Sequence, residues 1–253
     1  MRKGQFDSKH QVPVEGLKLI RDALQSRLVI EEVYICASRA QESGLQEILK
    51  QIRQLGIRTQ LVAKRVYNAV VDTEASQGIV ALVKLPRFQL SDVTGNSPFL
   101  FLAHQLQDPG NLGTLIRSAE AFGARAVLLT EKTVSPVNQK AVRASAGSLF
   151  RMPVLAGFNP HRLLDDLRQH GFKLVAATAQ GGEDFRKVDY RGPTALVVGN
   201  EGSGLPKSAL QQIHLRVTIP LSVNVESLNV AVASSIILSE AARQRWRSAV
   251  VVR

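Results

Sequence analysis

The stretch from residue 218 to residue 247, TIPLSVNVESLNVAVASSIILSEAARQRWR, decides the fold expected for this chain. Val217 and Ile219 predict the end of a β-strand, which Pro220 stops because proline has no backbone N–H to donate. A short polar loop comes next, and a long apolar run without glycine or proline follows it. This pattern predicts a helix from Ser227 onward.

The junction between that loop and the helix carries two polar side chains, Ser227 and Asn229. Both residue types are common helix N-caps, which is the simpler interpretation. Small residues at 231 and 233–235 would nevertheless let another element approach the helix closely, and little polar character interrupts the run before Glu240. A helix buried on most sides, with hydroxyl and amide groups in its first turn, favours the alternative interpretation, the floor of a binding site.

Length and composition exclude several classes of protein. The 253 residues suffice for one large domain or two smaller ones, and 45% hydrophobic and 21% charged residues are ordinary for a globular protein. No apolar run has the length of a membrane span, and the N-terminus lacks the apolar core of a secretory signal. The single Cys36 excludes an intrachain disulfide, and the five histidines have no metal-ligand spacing. We therefore expect a cytoplasmic protein without a structural metal or a membrane partner.

The charge balance points to an anionic partner. The 32 Lys and Arg residues outnumber the 21 Asp and Glu residues, which gives a formal net charge of +11. Such a balance favours nucleic acid or another anionic surface. From composition alone, a merely basic protein without such a partner remains the alternative.

The first third of the chain alternates short helical and strand patterns. We predict helices over residues 14–26, 45–55 and 66–72, and strands over residues 31–37, 57–63 and 77–85. These elements predict a small α/β domain over residues 1–84. A stretch rich in turn-forming residues, 85–97, predicts a linker.

The remaining residues, 98–253, predict a second α/β domain. Its opening run FLFLAHQL, residues 99–106, is typical of a strand buried on both faces of a parallel sheet. Further strands are predicted over residues 125–131, 172–179 and 194–200, each next to a helical stretch. The expected fold class is therefore α/β, with a mostly parallel sheet and helices on both faces.

A first candidate motif, LQDPGNLGTLIRSAEAFGA, occupies residues 106–124 directly after the apolar run. We predict a turn over residues 108–111 and then a helix with an apolar stripe, closed by Gly123. Arg117 falls on the helix face roughly opposite that stripe. It is either a solvated partner of Glu120 or an anion-facing group beside the crevice at the strand ends, where open α/β sheets bind ligands.

A second candidate motif, LVVGNEGSGLP, occupies residues 196–206. Its glycines allow the backbone to approach a ligand closely. A phosphate loop is excluded because no Lys-Ser/Thr pair follows and Glu201 would repel phosphate. The dinucleotide fingerprint GxGxxG is also absent, which argues against a nucleotide-binding oxidoreductase. A glycine-rich loop with a carboxylate is better suited to a neutral or cationic ligand.

Together with the stretch at 218–247, these motifs resemble those of the SpoU-type (TrmH-like) RNA ribose methyltransferases of the SPOUT superfamily. The resemblance covers residues 98–247, with three motifs in the family's order and at its usual separations. VEGLKLIRDAL, residues 14–24, and SQGIVA, residues 76–81, are similar to the substrate-binding domain that many members carry.

The resemblance implies transfer of a methyl group from S-adenosylmethionine to a ribose 2′-hydroxyl, most often in ribosomal RNA, with transfer RNA as the alternative. We expect 23S ribosomal RNA as the substrate. A C-terminal trefoil knot, which general topology rules would reject, and a homodimer with sites at the subunit interface are also implied. By motif position, the catalytic residues are Asn111, Arg117, Glu201, Ser227 and Asn229, and the cofactor-binding positions are Gly199, Ile219 and Leu228.

The chemistry of methyl transfer suggests a role for each polar group. A methyl sulfonium is already activated, so the barrier lies in making the hydroxyl nucleophilic and aligning it. Arg117 is expected to stabilise the developing alkoxide and to position the sugar, because a guanidinium rarely deprotonates to act as a base. Glu201, Ser227 and Asn229 are expected to orient Arg117, the substrate and the loop. The final proton acceptor is left open.

Two positions depart from the family pattern. Val223 stands where the family often has glycine, and its side chain would narrow the cofactor pocket or alter the loop. Ser76 stands where many relatives have histidine, which bears on substrate identity. A relative that binds RNA but has lost catalysis is the competing hypothesis, and Val223 is the feature in its favour.

Overall fold

The computed structural model of the chain describes residues 10–69, 71, 76–95, 98–213 and 215–246. The N-terminal strands are β1 (Gln11–Glu15), β2 (Val29–Cys36), β3 (Arg58–Val62) and β4 (Ile79–Lys84), with helices α1 (Leu17–Gln25), α2 (Ser43–Gln54), α3 (Lys64–Asn68) and α4 (Leu90–Val93). The later strands are β5 (Phe99–Ala103), β6 (Ala126–Thr130), β7 (Val154–Phe158), β8 (Lys173–Ala177), β9 (Glu183–Asp184), β10 (Thr194–Val198) and β11 (Leu215–Thr218). The later helices are α5 (Pro109–Ala121), α6 (Gln139–Ala144), α7 (Pro160–Gln169), α8 (Lys207–Gln212) and α9 (Val230–Trp246).

The C-terminal part is built on a seven-stranded sheet in the order β7-β6-β5-β10-β8-β11-β9. Every neighbouring pair in it is parallel. All residues of β5, β6 and β10 are buried, because helices cover both faces of the sheet. The predicted fold class, a parallel α/β sheet covered on both faces, is confirmed.

The N-terminal part forms a four-stranded sheet in the order β1-β4-β2-β3. β4 is antiparallel to both of its neighbours, whereas β2 and β3 run parallel. The prediction of a helix from residue 14 was wrong at its start, since Val14 lies in β1 and is fully buried. Gly16, with a φ of 98°, breaks the chain between that strand and α1. The helix predicted over residues 66–72 is observed as Lys64–Asn68, and residues 70 and 72–75 lie outside the described residues.

The stretch predicted as a linker packs against the C-terminal sheet. It contains α4, whose N-terminus carries a capping box between Gln89 and Asp92. Val93 is buried in the cluster that covers one face of the large sheet, and Phe88 and Leu90 pack against that cluster. Residues 88–93 are therefore packed against the part of the chain that follows them, whereas the N–H of Leu85 donates to the carbonyl of His10 in the N-terminal part.

The two parts of the chain share one continuous hydrophobic cluster. It includes Val12 and Ile20 from the N-terminal part and Val142 and Phe150 from the C-terminal part. At the junction, the side-chain amide of Gln139 donates a hydrogen bond of 2.8 Å to the carbonyl of Pro13. The junction is thus apolar packing supported by polar contacts.

Helix α9 is exposed along one side, at Val232, Ser239, Arg243 and Trp246. Its fully buried residues are Ala231, Ser234, Ile237, Leu238, Ala241 and Ala242. The prediction of a helix buried on most sides therefore fails only along the exposed side, where Val232 is 49% exposed. The small residues do permit close approach to a neighbouring helix, since the hydroxyls of Ser118 in α5 and Ser235 in α9 lie 2.8 Å apart.

Among the described residues, no helix is long and apolar enough to cross a membrane.

Candidate functional site

A cavity of about 360 Å³ lies at the carboxyl ends of β8, β10 and β11. Its walls are the glycine-rich loop after β10, residues 199–204, and the loop between β11 and α9. Open parallel sheets bind ligands at this edge. Of the eight residues predicted for the site, five line the cavity: Gly199, Glu201, Ile219, Ser227 and Leu228.

Gly199 is required by the fold of the glycine-rich loop. A Cβ atom at this position would lie 2.2 Å from the carbonyl carbon of Gly204 and 2.4 Å from the nitrogen of Leu205. Both are backbone atoms that a small side-chain movement cannot relieve. Paired backbone hydrogen bonds between Asn200 and Gly204, of 3.0 and 2.9 Å, close the loop on itself. Any side chain at 199 would therefore open the cavity wall.

The carboxylate of Glu201 joins the glycine-rich loop to the start of α5. One of its oxygens accepts hydrogen bonds from the backbone N–H of Asp108 at 3.0 Å and from the side-chain amide of Asn111 at 3.2 Å. The backbone N–H of Gln107 lies within 3.3 and 3.1 Å of its two oxygens. Glu201 thus organises the first candidate motif from a position ninety residues away in the chain.

The protonation of Glu201 follows from these donors. Partial burial alone would raise its pKa, because burial disfavours the charged form. The N–H groups of Asp108, Glu201 and Gln107, together with the Asn111 amide, outweigh that effect and hold the pKa below its usual value. Glu201 is therefore an ionised hydrogen-bond acceptor at neutral pH.

Asn111 continues the network to α9. Its side-chain carbonyl accepts a hydrogen bond of 3.0 Å from the side-chain amide of Asn229. The Asn229 carbonyl in turn accepts from the backbone N–H groups of Ala231 at 2.8 Å and Val232 at 3.3 Å. Asn229 is thus a helix cap and a link between motifs, so its two interpretations from the sequence are compatible.

Arg117 lies on the exposed face of α5, whereas Leu112, Leu115, Ile116 and Ala119 are buried, as the helical pattern predicts. It does not line the cavity. The alternative interpretation of Arg117, a pairing with Glu120, is not observed, because the Glu120 carboxylate accepts two hydrogen bonds from Arg151, of 2.6 and 2.8 Å. Within the described part of the chain, Arg117 has no ion pair.

Val223 does not narrow the cavity, contrary to the expectation from the sequence. Its side chain is fully exposed and is not part of the cavity lining. Its φ is not positive, so the backbone there does not require glycine. Ser76 lies in the N-terminal part, where its hydroxyl is 2.6 Å from the hydroxyl of the buried Tyr67.

Two residues that hold the site together were missed from the sequence. The side-chain carbonyl of Asn200 accepts from the N–H groups of Gly202 and Ser203, and its amide donates to the carbonyl of Gln105 at 2.9 Å. The tendency of asparagine to bind the backbone two residues on was the available signal. Lys140 lies 2.7 Å from the carboxylate of Asp108, and a contact between such distant residues leaves no local signal.

Residues 108–111 form the start of α5, so the prediction of a turn there was wrong. Asp108 is the N-cap, accepting a hydrogen bond of 2.8 Å from the N–H of Asn111, and Pro109 is the first helical residue. Aspartate and proline favour both turns and helix starts. Lys140, followed by the N–H of Asn111, lowers the pKa of Asp108 and keeps this cap ionised.

Two family models match the chain. The model of the SpoU rRNA methylase family covers residues 98–239. A second model, RNA 2′-O ribose methyltransferase substrate binding, covers residues 13–89. The first model alone spans more than half of the chain.

Curated relatives and solved structures agree with these models. The 23S rRNA (guanosine(2553)-2′-O)-methyltransferase RlmP of Bacillus subtilis is 33% identical over 89% of this chain and 86% of its own length. The 23S rRNA (guanosine-2′-O-)-methyltransferase RlmB of Ralstonia nicotianae is 32% identical over 85% and 88%. The SpoU methyltransferase AviRb of Streptomyces viridochromogenes, solved in complex with the cofactor AdoMet, superposes with a TM-score of 0.83 at 28% identity, covering 93% of this chain and 91% of that one. The chain therefore belongs to the SpoU rRNA methylase family.

Proposed function

We propose that this protein transfers a methyl group from S-adenosylmethionine to a ribose 2′-hydroxyl of 23S ribosomal RNA. The observation that carries the proposal is the polar network joining the three motifs: Glu201, Asn111 and Asn229 connect the cavity wall, α5 and α9. The names of the curated relatives support 23S ribosomal RNA over transfer RNA as the substrate.

The cavity fits S-adenosylmethionine in size and in charge. Its volume lies within the usual range of small-molecule sites. Ile219, Leu228 and Ile237 give it apolar walls, and its described lining contains one carboxylate and no Lys, Arg or His side chain. A pocket without cationic groups suits a ligand that carries a sulfonium. When bound there, the cofactor supplies an activated methyl group.

The chain's own residues prepare the acceptor hydroxyl. We assign Arg117 to the stabilisation of the developing alkoxide and of the adjoining phosphate, because its guanidinium is exposed on α5, whose start the polar network fixes. Asn111 and Asn229 fix the start of α5 against α9, and Glu201 fixes the cavity wall against both. Ser227 lines the cavity and is exposed, so it can contact the substrate or the cofactor.

The position of Arg117 outside the cavity supports a homodimer. Helices α5 and α9 leave an open groove of about 430 Å³ between them, lined by apolar and hydroxyl side chains that include Val232 and Ile236. A second copy on this face would cover the apolar residues and bring Arg117 to a composite site. We propose this dimer, together with the trefoil knot of the family, as the functional form.

The N-terminal part is proposed to select the RNA as a substrate-binding domain over residues 1–84, joined by residues 85–97 to a catalytic domain over residues 98–253. Its match to the substrate-binding model supports this role. The basic residues Lys64 and Arg65 on the exposed side of α3 are close in sequence to Tyr67, which contacts Ser76 in the SQG stretch.

The buried thiol of Cys36 suits a reducing compartment, and we propose the cytoplasm as the location of the protein.

The function is tested by incubating the purified protein with labelled S-adenosylmethionine and 23S rRNA transcribed in vitro, and then mapping 2′-O-methylation. We expect a single methylated ribose and saturable binding of S-adenosylmethionine by calorimetry. Methylation of transfer RNA instead would revise the substrate. Cofactor binding without transfer to ribosomal or transfer RNA would favour the competing hypothesis, an RNA-binding relative that has lost catalysis.

A further inference from the structure

Two surface depressions share Arg87 and form one trough, which we call the basal furrow. Each depression has a volume of about 920 Å³. One lies at the edge of the N-terminal sheet, where Lys84 ends β4 and Val29 begins β2. The other lies against the C-terminal sheet, where Phe99 begins β5. The furrow therefore runs across the junction between the two parts of the chain.

The basal furrow and the cofactor cavity lie at opposite ends of the large sheet. The furrow touches Phe99, Arg125 and Pro153, which stand at the amino ends of β5, β6 and β7. The cavity lies at the carboxyl ends of the parallel strands. Strands of five residues separate the two ends by about 17 Å. A nucleotide held in the cavity cannot also fill the furrow. The furrow therefore binds either a different ligand or a distant part of a large ligand.

The charge of the basal furrow is positive. Its lining contains six cationic and three acidic residues: Arg27, Lys84, Arg87, Arg125, Arg151 and Arg245, against Glu31, Asp92 and Glu120. All three carboxylates already have partners, since Glu120 binds Arg151, Asp92 accepts from the N–H of Gln89 at 2.8 Å, and Glu31 accepts from the side-chain amide of Gln11.

Three of the cations are available to an external anion. In the part of the chain that the structure describes, Arg27, Lys84 and Arg125 are exposed and form no ion pair. An extended trough with separated, exposed cations matches the repeating charge of a phosphate backbone better than a single small anion.

Arg245 is held in a fixed position in the furrow. The guanidinium of Arg245 lies 5.7 Å from the ring centre of Phe99. One of its nitrogens donates to the carbonyls of Tyr190 at 2.6 Å, Arg191 at 3.0 Å and Gly192 at 3.0 Å, which fixes the side chain in place.

We propose that the basal furrow binds the phosphate backbone of the substrate RNA, at a place remote from the methylated nucleotide. The identity of the ligand as RNA rests on the proposed function. A structured RNA is large enough to reach both ends of the sheet at once. The furrow then contributes to affinity and to the choice of RNA, and the chemical step depends on the cavity and on Arg117.

The test compares the variant R27E/K84E/R125E with the control variant R162E/K187E/R216E, which makes the same change in net charge at exposed residues outside the furrow and outside the proposed substrate-binding domain. Binding to 23S rRNA transcribed in vitro is measured over a range of salt concentrations. For the furrow variant we expect at least a tenfold loss of affinity and a decrease of about three in the slope of log K against log salt. The control should stay within about twofold of the wild type. Equal losses in both variants would overturn the proposal.

A second measurement uses the wild-type protein and does not depend on the folding of a variant. Acetylation of Lys84 and of the exposed Lys187 by an amine-reactive reagent is compared by mass spectrometry with and without 23S rRNA. Protection of Lys84 but not of Lys187 is expected. Equal labelling of Lys84 with and without RNA would overturn the furrow proposal. Protection of Lys84 by self-association of the protein, in the absence of RNA, would overturn it as well. Failure of the wild type to bind S-adenosylmethionine would instead refute the proposed function, because the furrow is tested by RNA contact only.

Discussion

Arg117 is the site residue that stands apart from the polar network, since it lies on the outer face of α5. We expect Arg117→Ala to reduce methyl transfer by about a hundredfold or more, the scale of losing one preorganised electrostatic group. The melting temperature should hardly change, because the side chain is exposed. Arg117→Lys should not restore the full rate, because lysine lacks the planar fork of the guanidinium. The measurement is single-turnover transfer of labelled methyl with RNA and cofactor saturating.

The control for that experiment is Arg162→Ala, which removes another exposed arginine from the outer surface of α7. Its rate should equal that of the wild type. A wild-type rate in Arg117→Ala itself would show that this arginine is only a solvated side chain.

Glu201 predicts a dependence of stability on pH. Because its pKa is lowered in the folded protein, the ionised carboxylate stabilises the fold above the ordinary glutamate pKa, and this contribution is lost as the pH falls through the lowered value. Glu201→Gln should therefore lower the melting temperature most at neutral pH, and the difference from the wild type should shrink below about pH 4. Thermal unfolding followed from pH 7 downward tests this. A difference independent of pH, or an equal effect of Glu131→Gln at an exposed loop position, would contradict it.

At the scale of single residues, the sequence motifs correctly identified five residues as neighbours. These five line one cavity: Gly199, Glu201, Ile219, Ser227 and Leu228. What they could not reveal was the partner of each group. Glu201 binds the backbone of Gln107 and Asp108, and Glu120 binds Arg151 instead of Arg117. Such pairings depend on how distant elements pack, and a single sequence carries no direct record of that packing.

Among the elements, α5 and α6 make an unusually close contact at Gly113. A Cβ atom there would lie 2.4 Å from the carbonyl oxygen of Ala141 and 2.6 Å from the Cβ of Ala144. Gly113→Ala should push the two helices apart at a cost of about 1–3 kcal/mol. For a protein of this size, that corresponds to a decrease in melting temperature of roughly 2–12 °C. Differential scanning calorimetry measures the change.

The matched control is the same substitution at Gly44 in α2, where an added Cβ would meet only the Leu17 side chain at an ordinary 3.6 Å. Alanine also favours the helix over glycine, so Gly44→Ala should not lower the melting temperature. Equal stability of the Gly113→Ala protein would show that the α5–α6 contact can relax.

The buried strands and long helices were predictable because they carry strong periodic or continuous apolar patterns. The elements that were missed carry weak ones. Strand β1 has only five residues and was read as the start of α1. Edge strand β7 contains Gly157, with a φ of 89°, and is only partly buried. For α9, the apolar pattern correctly predicted a helix, but it could not distinguish burial within the chain from an exposed face.

At the scale of the whole molecule, the open face of α5 and α9 predicts a dimer. Wild-type protein should sediment at twice the 27.6 kDa of one chain. Ile236→Glu places a charge in the groove between these helices and should produce monomers that no longer methylate RNA. Val66→Glu, at an exposed apolar position of the N-terminal part, should remain dimeric. A wild-type protein that sediments as a single 27.6 kDa species at micromolar concentration would refute this dimer.

The shared core at the junction also affects how the two parts can be separated. Removing residues 1–97 would expose Val142 and Phe150, which pack in the same cluster as Val12 and Ile20. Loss of activity in such a truncated protein would therefore mix damaged folding with lost RNA selection. Substitution of Lys64 and Arg65 on α3 tests the selective role without disturbing that core.

The same junction sets a problem for the protein while it is being synthesised. The face of β1 that meets α6 leaves the ribosome first, whereas Gln139 follows more than a hundred residues later. At about 5–20 residues per second, the first part waits on the order of ten seconds for its partner. During that interval its apolar residues face water or a chaperone, so the nascent chain, rather than the finished enzyme, is the stage most exposed to aggregation.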